Sequence, residues 1–382
     1  MRRFTGIIFI LFLTIVSFRC FNNEPGKNKL SKDSASLAAE KHYRDSMICV
    51  SFFDTLLTKD SFNGAILIAK KGKVLFERYQ GTVHLKGKDT INTSTPFHIA
   101  SSSKPFTAMA ILKLNEEGKL KLTDTLQKYF PTFPYKGITI EMLLTHRSQL
   151  PDYVYFMKDF WANKTKKATN QDVLNVITAR RPKLRGATGK SFLYCNTNYM
   201  LLALIVEKTS GILFPEFVKK NFFEPLGMNN TFIYRPEDEK RITPSYKSNG
   251  LMEPYTFLDQ TYGDKNVYST VRDMLKWDQA LYSDFISESM KEKAFTPTSF
   301  EKKDISNYGM GWRMYLLDST KKIIYHNGWW HGNNSCFYRV ITDSLTIIIQ
   351  GNRMNKKIYH VNPLVEMLTT LRFPPPEKQP VK

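Results

Sequence analysis

The sequence predicts an α+β fold in which one antiparallel sheet is built from both chain ends, flanked by helices, with a mostly helical domain inserted between them. Three observations predict it. Strand-like apolar runs bounded by turn residues lie near residues 64–79, and again over 322–350. The stretch between them, about 104–290, reads as helical periodicity and loops. The 382 residues, 42% of them apolar and 13% aromatic, suffice for one large composite domain with a substantial core.

The chain opens on Met1-Arg2-Arg3, and Gly6 to Phe18 is almost wholly apolar, with Cys20 just behind. A run this short is an export-signal core, since a bilayer span needs about 20 apolar residues. Residues 1–20 are therefore expected to be a signal peptide. Cys20 stands where a bacterial lipoprotein carries its lipid, so it is the expected lipid-attachment site. Ser17 and Arg19 depart from that pattern and keep an ordinary cleaved signal, or else an uncleaved anchor, as the alternatives. Either way the protein is expected to be exported to the periplasm or cell envelope. Lipidation would associate it with a membrane through its N-terminus.

Residues 21–33 are polar and read as a flexible tether. Leu37, Ala38, Tyr43, Met47, Val50, Phe53 and Leu57 then recur at helical spacing over 34–58. A hairpin follows, 64–69 and 74–79 around a Lys-Lys-Gly-Lys turn. Near the other end, 322–326, 336–341 and 345–350 are strand-like, with Asp343-Ser344 as a turn. Residues 357–372 read as a closing helix, and Pro374-Pro375-Pro376 begins a loose tail. The catalytic domain is thus expected over 34–373.

Lys and Arg outnumber Asp and Glu by 55 to 35, a net charge of +20. The lysines are dispersed rather than blocked, which reads as an ordinary Lys-rich surface; no nucleic-acid partner is expected. Cys49, Cys195 and Cys336 are odd in number and widely spaced, so there is no disulfide framework. There is no CxxC or HExxH, and neither a metal nor a cofactor is expected. A monomer is expected.

The chemistry is carried by Phe97-His98-Ile99-Ala100-Ser101-Ser102-Ser103-Lys104-Pro105-Phe106. Ser101 and Lys104, three apart, share one helix face, and Pro105 is tolerated in a first helical turn. A serine hydroxyl needs a base within hydrogen-bond reach, and a desolvated lysine can supply one. Alone the spacing is unspecific: Ser299/Lys302 and Ser319/Lys322 repeat it. There is no Gly-x-Ser-x-Gly, which argues against a nucleophile-elbow hydrolase.

The ordered set is more specific. Phe97 to Ala108 resembles the nucleophile motif of the serine β-lactamase-like and penicillin-binding-protein-like hydrolases, in particular the class C β-lactamases, D,D-peptidases and related esterases. Leu143 to Tyr153, Glu224 to Met228 and Gly263 to Thr270 look like further segments of that family, although Gln149 stands where the family usually has glycine. Tyr194-Cys195-Asn196 resembles its Tyr-x-Asn motif, and His326-Asn327-Gly328 its third motif. The resemblance covers about residues 60–350.

It implies a β-lactamase/transpeptidase-like fold and a serine hydrolase that works through an acyl-enzyme. Ser101 would be the nucleophile. Lys104 and Tyr194 would share proton transfer. Asn196 would hold Lys104 and the substrate, and backbone N–H groups of Ser101 and Trp329 would form the oxyanion hole. Gly328 would let substrate approach the strand. His326, in place of the lysine of true class C enzymes, would read substrate charge, so carboxylate-bearing β-lactams should react better near pH 6 than at pH 8. The implied ranking is esterase or amidase first, D-amino-acid peptidase or D,D-carboxypeptidase second, β-lactamase third. A module that is acylated and then stalls, as a sensor, is the non-enzyme alternative.

Overall fold

The computed structural model describes residues 25–57, 62–300, 305–318 and 320–374. Contacts divide the chain into two units, 1–44 and 45–382. In the first, the described residues are helical, and side chains 36–44 are exposed. Helix α1 runs Pro25–Phe52, so it starts inside the segment expected as a tether. Pro25 suits a first turn, and Lys, Leu, Ala and Glu are good helix formers. The polarity of that segment predicts a tether, but a helix needs no apolar face to be written in these residue types. The signal segment 1–20, with Cys20, lies outside the described residues.

The second unit is organised by an eight-stranded antiparallel sheet. Its strands in chain order are β1 Gly64–Lys70, β2 Lys73–Gln80, β3 Ser299–Phe300, β4 Ser306–Tyr308, β5 Arg313–Leu316, β6 Lys322–Trp330, β7 Asn333–Val340 and β8 Leu345–Gly351. Their order across the sheet is β2-β1-β8-β7-β6-β5-β4-β3. β1 pairs with β8 in register Gly64↔Gly351 to Lys70↔Leu345, which joins the two ends of the chain as the sequence predicts.

The central strands are buried on both faces, which is why they read as continuous apolar runs rather than alternating ones. Ala65, Leu67, Phe337 and Ile348 point to the core shared with the inserted helices, including Phe106 and Trp277. Ile66, Ile68, Tyr338, Ile347 and Ile349 point the other way, against Phe53, Leu364 and Val365. The closing helix expected over 357–372 is instead a 3₁₀ turn, Lys356–Tyr359, and a short helix, Asn362–Leu368. Pro363 lacks the N–H that would continue the first into the second. β3, β4 and β5 went unread in the sequence, because two to four residues of mixed polarity carry no period.

The insertion is mainly helical. Two of its helices matter most for the site: α2, Lys104–Glu116, and α3, Asn196–Ser210. Both have long buried stretches and lie in the same core. A 3₁₀ turn, Ala100–Ser103, leads directly into α2 and packs on β6.

Candidate active site

A 3₁₀ turn brings side chains i and i+3 into line, more closely than an α-helix does. Ser101 sits in that turn and Lys104 is the first residue of α2. The Lys104 ammonium Nζ donates to Ser101 Oγ at 3.1 Å, to Asn196 Oδ1 at 2.9 Å and to the Asp264 carbonyl at 2.9 Å. Lys104 is 0% exposed. Its Nζ also lies 4.9 Å from the centre of the Tyr194 ring. Ala100, just before the nucleophile, has φ of 49°. A non-glycine residue in this region is strained, and here the strain turns the chain into the Ser101 turn.

The three consecutive serines divide their roles. Ser101 alone of the three lines the cavity described below. Ser102 Oγ donates to the His326 carbonyl at 3.1 Å and is 2.8 Å from Ser335 Oγ. Ser103 Oγ accepts from the Val267 N–H at 3.1 Å. Both are buried fasteners between the turn and its neighbours. Gly328 belongs to the same junction: a Cβ there would collide with the Ile99 carbonyl and Ser335 Oγ. The glycine expected to admit substrate is thus also required for β6 to lie against the nucleophile turn.

Asn196 opens α3, and its orientation is set by a carboxylate. Asp152 Oδ2 accepts from both the backbone N–H and the side-chain Nδ2 of Asn196, each at 3.0 Å. That leaves Asn196 Oδ1 for Lys104. Burial pushes the Asp152 carboxyl above its usual range, aided by the nearby Asp264 charge, while the N–H groups it accepts pull it back. Tyr194, just ahead of the helix, packs against His146 with ring centres 4.3 Å apart and planes tilted by 35°. His146 Nδ1 accepts the Cys195 N–H at 3.1 Å. Burial, then the Lys104 charge, hold His146 far below the ordinary histidine range, so it is a neutral wall for the tyrosine.

Gln149, the departure from the family pattern, has φ of 60°. This is the left-handed region where glycine is the usual residue. Its side chain compensates by donating Nε2 to the Ser191 carbonyl at 2.7 Å, which ties down the loop that leads to Tyr194.

A cavity of about 620 Å³ opens over these groups, lined by Ser101, Tyr194, Asn196, Lys265, Arg313 and Trp330 among others. Trp329 lines it too, 62% exposed, with its indole N–H donating to the His331 carbonyl at 2.7 Å. Pairing of β5 with β6 stops at Arg313↔Tyr325. Among the described residues, the β6 edge beyond it has no strand partner on that side.

His326 corrects the sequence expectation. It is fully buried and is not a cavity-lining residue. Its Nδ1 donates to the Asn327 carbonyl at 2.8 Å, leaving Nε2 to accept from Tyr308 OH at 3.3 Å. Burial, then Arg313 and Lys104, hold its pKa well below the ordinary value. A neutral imidazole sealed beneath the strand cannot read substrate charge across pH 6–8. Three cations line the cavity, Lys265, Arg313 and Lys356, and of these Arg313 lies beside Tyr194, its guanidinium carbon 5.0 Å from the ring centre.

Sequence reasoning missed Arg313, which stands alone on a short strand with no motif around it. It also missed Asp152, His146 and Lys265, although each lies inside a segment that resembles the family. Cys49, Cys195 and Cys336 are buried free thiols.

The chain is similar to proteins of known family and fold. A family model described as Beta-lactamase matches residues 51–367. The chain is 35% identical over 320 residues to penicillin-binding protein 4* of Bacillus subtilis, covering 79% of this chain and 71% of that one. Its fold matches the crystal structure of a penicillin-binding protein from Bacillus halodurans with a TM-score of 0.73 and 26% identity, over 83% of this chain and 99% of that one. It also matches an octameric penicillin-binding protein homologue from Pyrococcus abyssi, with a TM-score of 0.72 and 26% identity, over 83% and 76% of the two chains.

Proposed function

The chain belongs to the β-lactamase family of serine hydrolases, and from that premise we propose that it cleaves an ester or amide through an acyl-enzyme on Ser101. The observation that carries this is the buried Lys104 amine, 3.1 Å from Ser101 Oγ at the floor of an open cavity. Ser101 Oγ attacks the substrate carbonyl carbon and gives its proton to the Lys104–Tyr194 pair. The pair returns the proton to the leaving group as the ester or amide bond breaks. A water then adds to the acyl-enzyme by the same route and frees the acid. Asp152 keeps Asn196 aimed at Lys104. The backbone N–H groups of Ser101 and Trp329 are assigned to the developing oxyanion. A turnover screen over short acyl esters, nitrocefin and D-alanyl peptides, with a Ser101→Ala control, tests the reading.

Arg313 favours a second reading, a D-amino-acid peptidase whose substrate carries a carboxylate. An arginine beside Tyr194 can bind a carboxylate on the leaving-group side, and it stays charged at any working pH. The similar proteins are named for penicillin, itself a carboxylate-bearing amide. Arg313→Leu is expected to lower kcat/KM for a carboxylate-bearing substrate by about 10–100-fold and to change a neutral ester only a few-fold. In the wild type the anionic-to-neutral ratio should be flat from pH 6 to 8, because Arg313 does not titrate and His326 stays neutral. An unchanged ratio in the variant would remove Arg313 from substrate recognition.

Export and anchoring through Cys20 complete the proposal. Labelled palmitate is expected in the wild type and absent after Cys20→Ala. A soluble, unlabelled mature protein would favour an ordinary signal peptide instead. Two or three acyl chains anchor stably where one is marginal.

A further inference from the structure

A second buried lysine lies in the same cavity wall and has no part in the mechanism above. Lys265 is 3% exposed and follows Asp264, which is 1% exposed. Both residues line the cavity. Lys265 Nζ lies 3.5 Å from Asp264 Oδ2, donates to Thr261 Oγ1 at 2.5 Å and is hydrogen-bonded to Tyr153 OH. Tyr153 OH in turn donates to Asp264 Oδ2 at 2.9 Å. Burial and the Asp264 charge hold the Tyr153 phenol well above its usual range, so it remains a donor. The Lys265 ammonium also lies 4.7 Å from the centre of the Trp330 ring.

Asp264 touches the catalytic lysine directly, since its carbonyl accepts from Lys104 Nζ. Its carboxylate is not fully used: Oδ1 is buried with no hydrogen-bond partner among the described residues. A buried carboxylate with spare acceptor capacity attracts the nearest cation strongly. Lys265 Nζ reaches this carboxylate, and Lys104 Nζ reaches the same residue's carbonyl. Their charges are close enough that Lys104 pulls the pKa of Lys265 down, with burial the larger cause and Asp264 opposing both. The other carboxylate, Asp152, is already held by Asn196 and the Val154 N–H. Around Lys104 lie also Tyr194, Tyr199 and the histidines His146 and His326, both held well below their usual pKa; Arg313 faces Tyr194, and the Asp259 charge acts on Lys265 together with Asp264.

We infer that Lys265 is a positioning residue that occupies Asp264, keeping this carboxylate from drawing Lys104 into an ion pair and away from proton transfer with Ser101. The inference rests on the acyl-enzyme reading above. Its sign does not depend on whether the Lys104 amine or the Tyr194 phenol takes the proton. Both release a proton more readily in a more positive surrounding, so removing Lys265 and removing Asp264 must act in opposite directions.

The experiment is the rate of Ser101 labelling by a neutral fluorophosphonate, against pH, in the full chain. A neutral probe keeps Arg313 out of the comparison. Lys265→Met should move the acid limb up by about one pH unit, about tenfold slower labelling on that limb, with the rate recovered at high pH. Asp264→Asn, which keeps the backbone carbonyl, should move the limb down. The double variant Asp264→Asn/Lys265→Met should return close to wild type, and Lys265→Arg should not move. If Lys265→Met does not fold, Asp264→Asn and Lys265→Arg still supply the sign. Shifts in the same direction, or an equal loss at every pH, would overturn the inference and leave Lys265 a packing residue. Failure of the wild type to label at Ser101 would instead overturn the acyl-enzyme reading itself.

Discussion

Ser101→Ala is expected to abolish at least about 10³-fold of turnover, because a nucleophile and its base fail as a unit when either is removed. The triple serine makes this result specific. Ser101 is the one that faces the cavity and receives the Lys104 hydrogen bond. Ser102 is spent on the His326 carbonyl and Ser335, and Ser103 on the Val267 N–H. Ser102→Ala should therefore cost stability, about 1 kcal/mol for one buried hydrogen bond, with much of the activity retained. Peptide mass mapping after fluorophosphonate or penicillin treatment should place the adduct on Ser101. An adduct on Ser103, or full activity in Ser101→Ala, would sink the assignment.

Lys104→Arg should be nearly as damaging, on the order of 10³-fold in acylation. The substitution keeps the charge but supplies a guanidinium that does not give up its proton. It also puts a larger, planar group where a compact ammonium meets three acceptors with no exposure to solvent. Tyr194→Phe retains the ring that packs against His146 and loses only the hydroxyl. It should cost about 10²-fold or more, in acylation and deacylation alike, if the phenol carries protons in both. Circular dichroism should show an intact fold in both variants. Single-turnover rates near wild type in Tyr194→Phe would make Tyr194 a wall of the cavity and leave proton transfer to Lys104.

The legible part of the fold was the part with long apolar runs. β1, β7 and β8 are buried along nearly their whole length and β6 along most of it, β2 follows β1 across a hairpin turn, and their positions at both chain ends imply one shared sheet. β3, β4 and β5 form the far edge of the sheet and are too short to carry a pattern, so they went unread, and Arg313 with them. The start of α1 was missed for the opposite reason. A polar helix has no apolar stripe to detect.

By itself the sequence determined which chemistry was possible. A serine and a lysine three apart, with a proline that suits a first helical turn, place a nucleophile and a base on one face, and the family resemblance carried by Tyr-x-Asn and His-x-Gly in order implies the rest of the site. The first of these is a local constraint, written by spacing along one chain segment. Only the tertiary structure decided what each charge does. His326 and Arg313 are 13 residues apart in the chain. One is buried, which holds its pKa well below the usual value, and the other lines the cavity beside Tyr194. Burial and the approach of groups from distant segments set the charge state, and neither can be read from residue type. The same holds for Asp264. Its carbonyl meets Lys104 across 160 positions, and whether its carboxylate helps or hinders that lysine depends on a neighbour whose direction only the folded backbone sets.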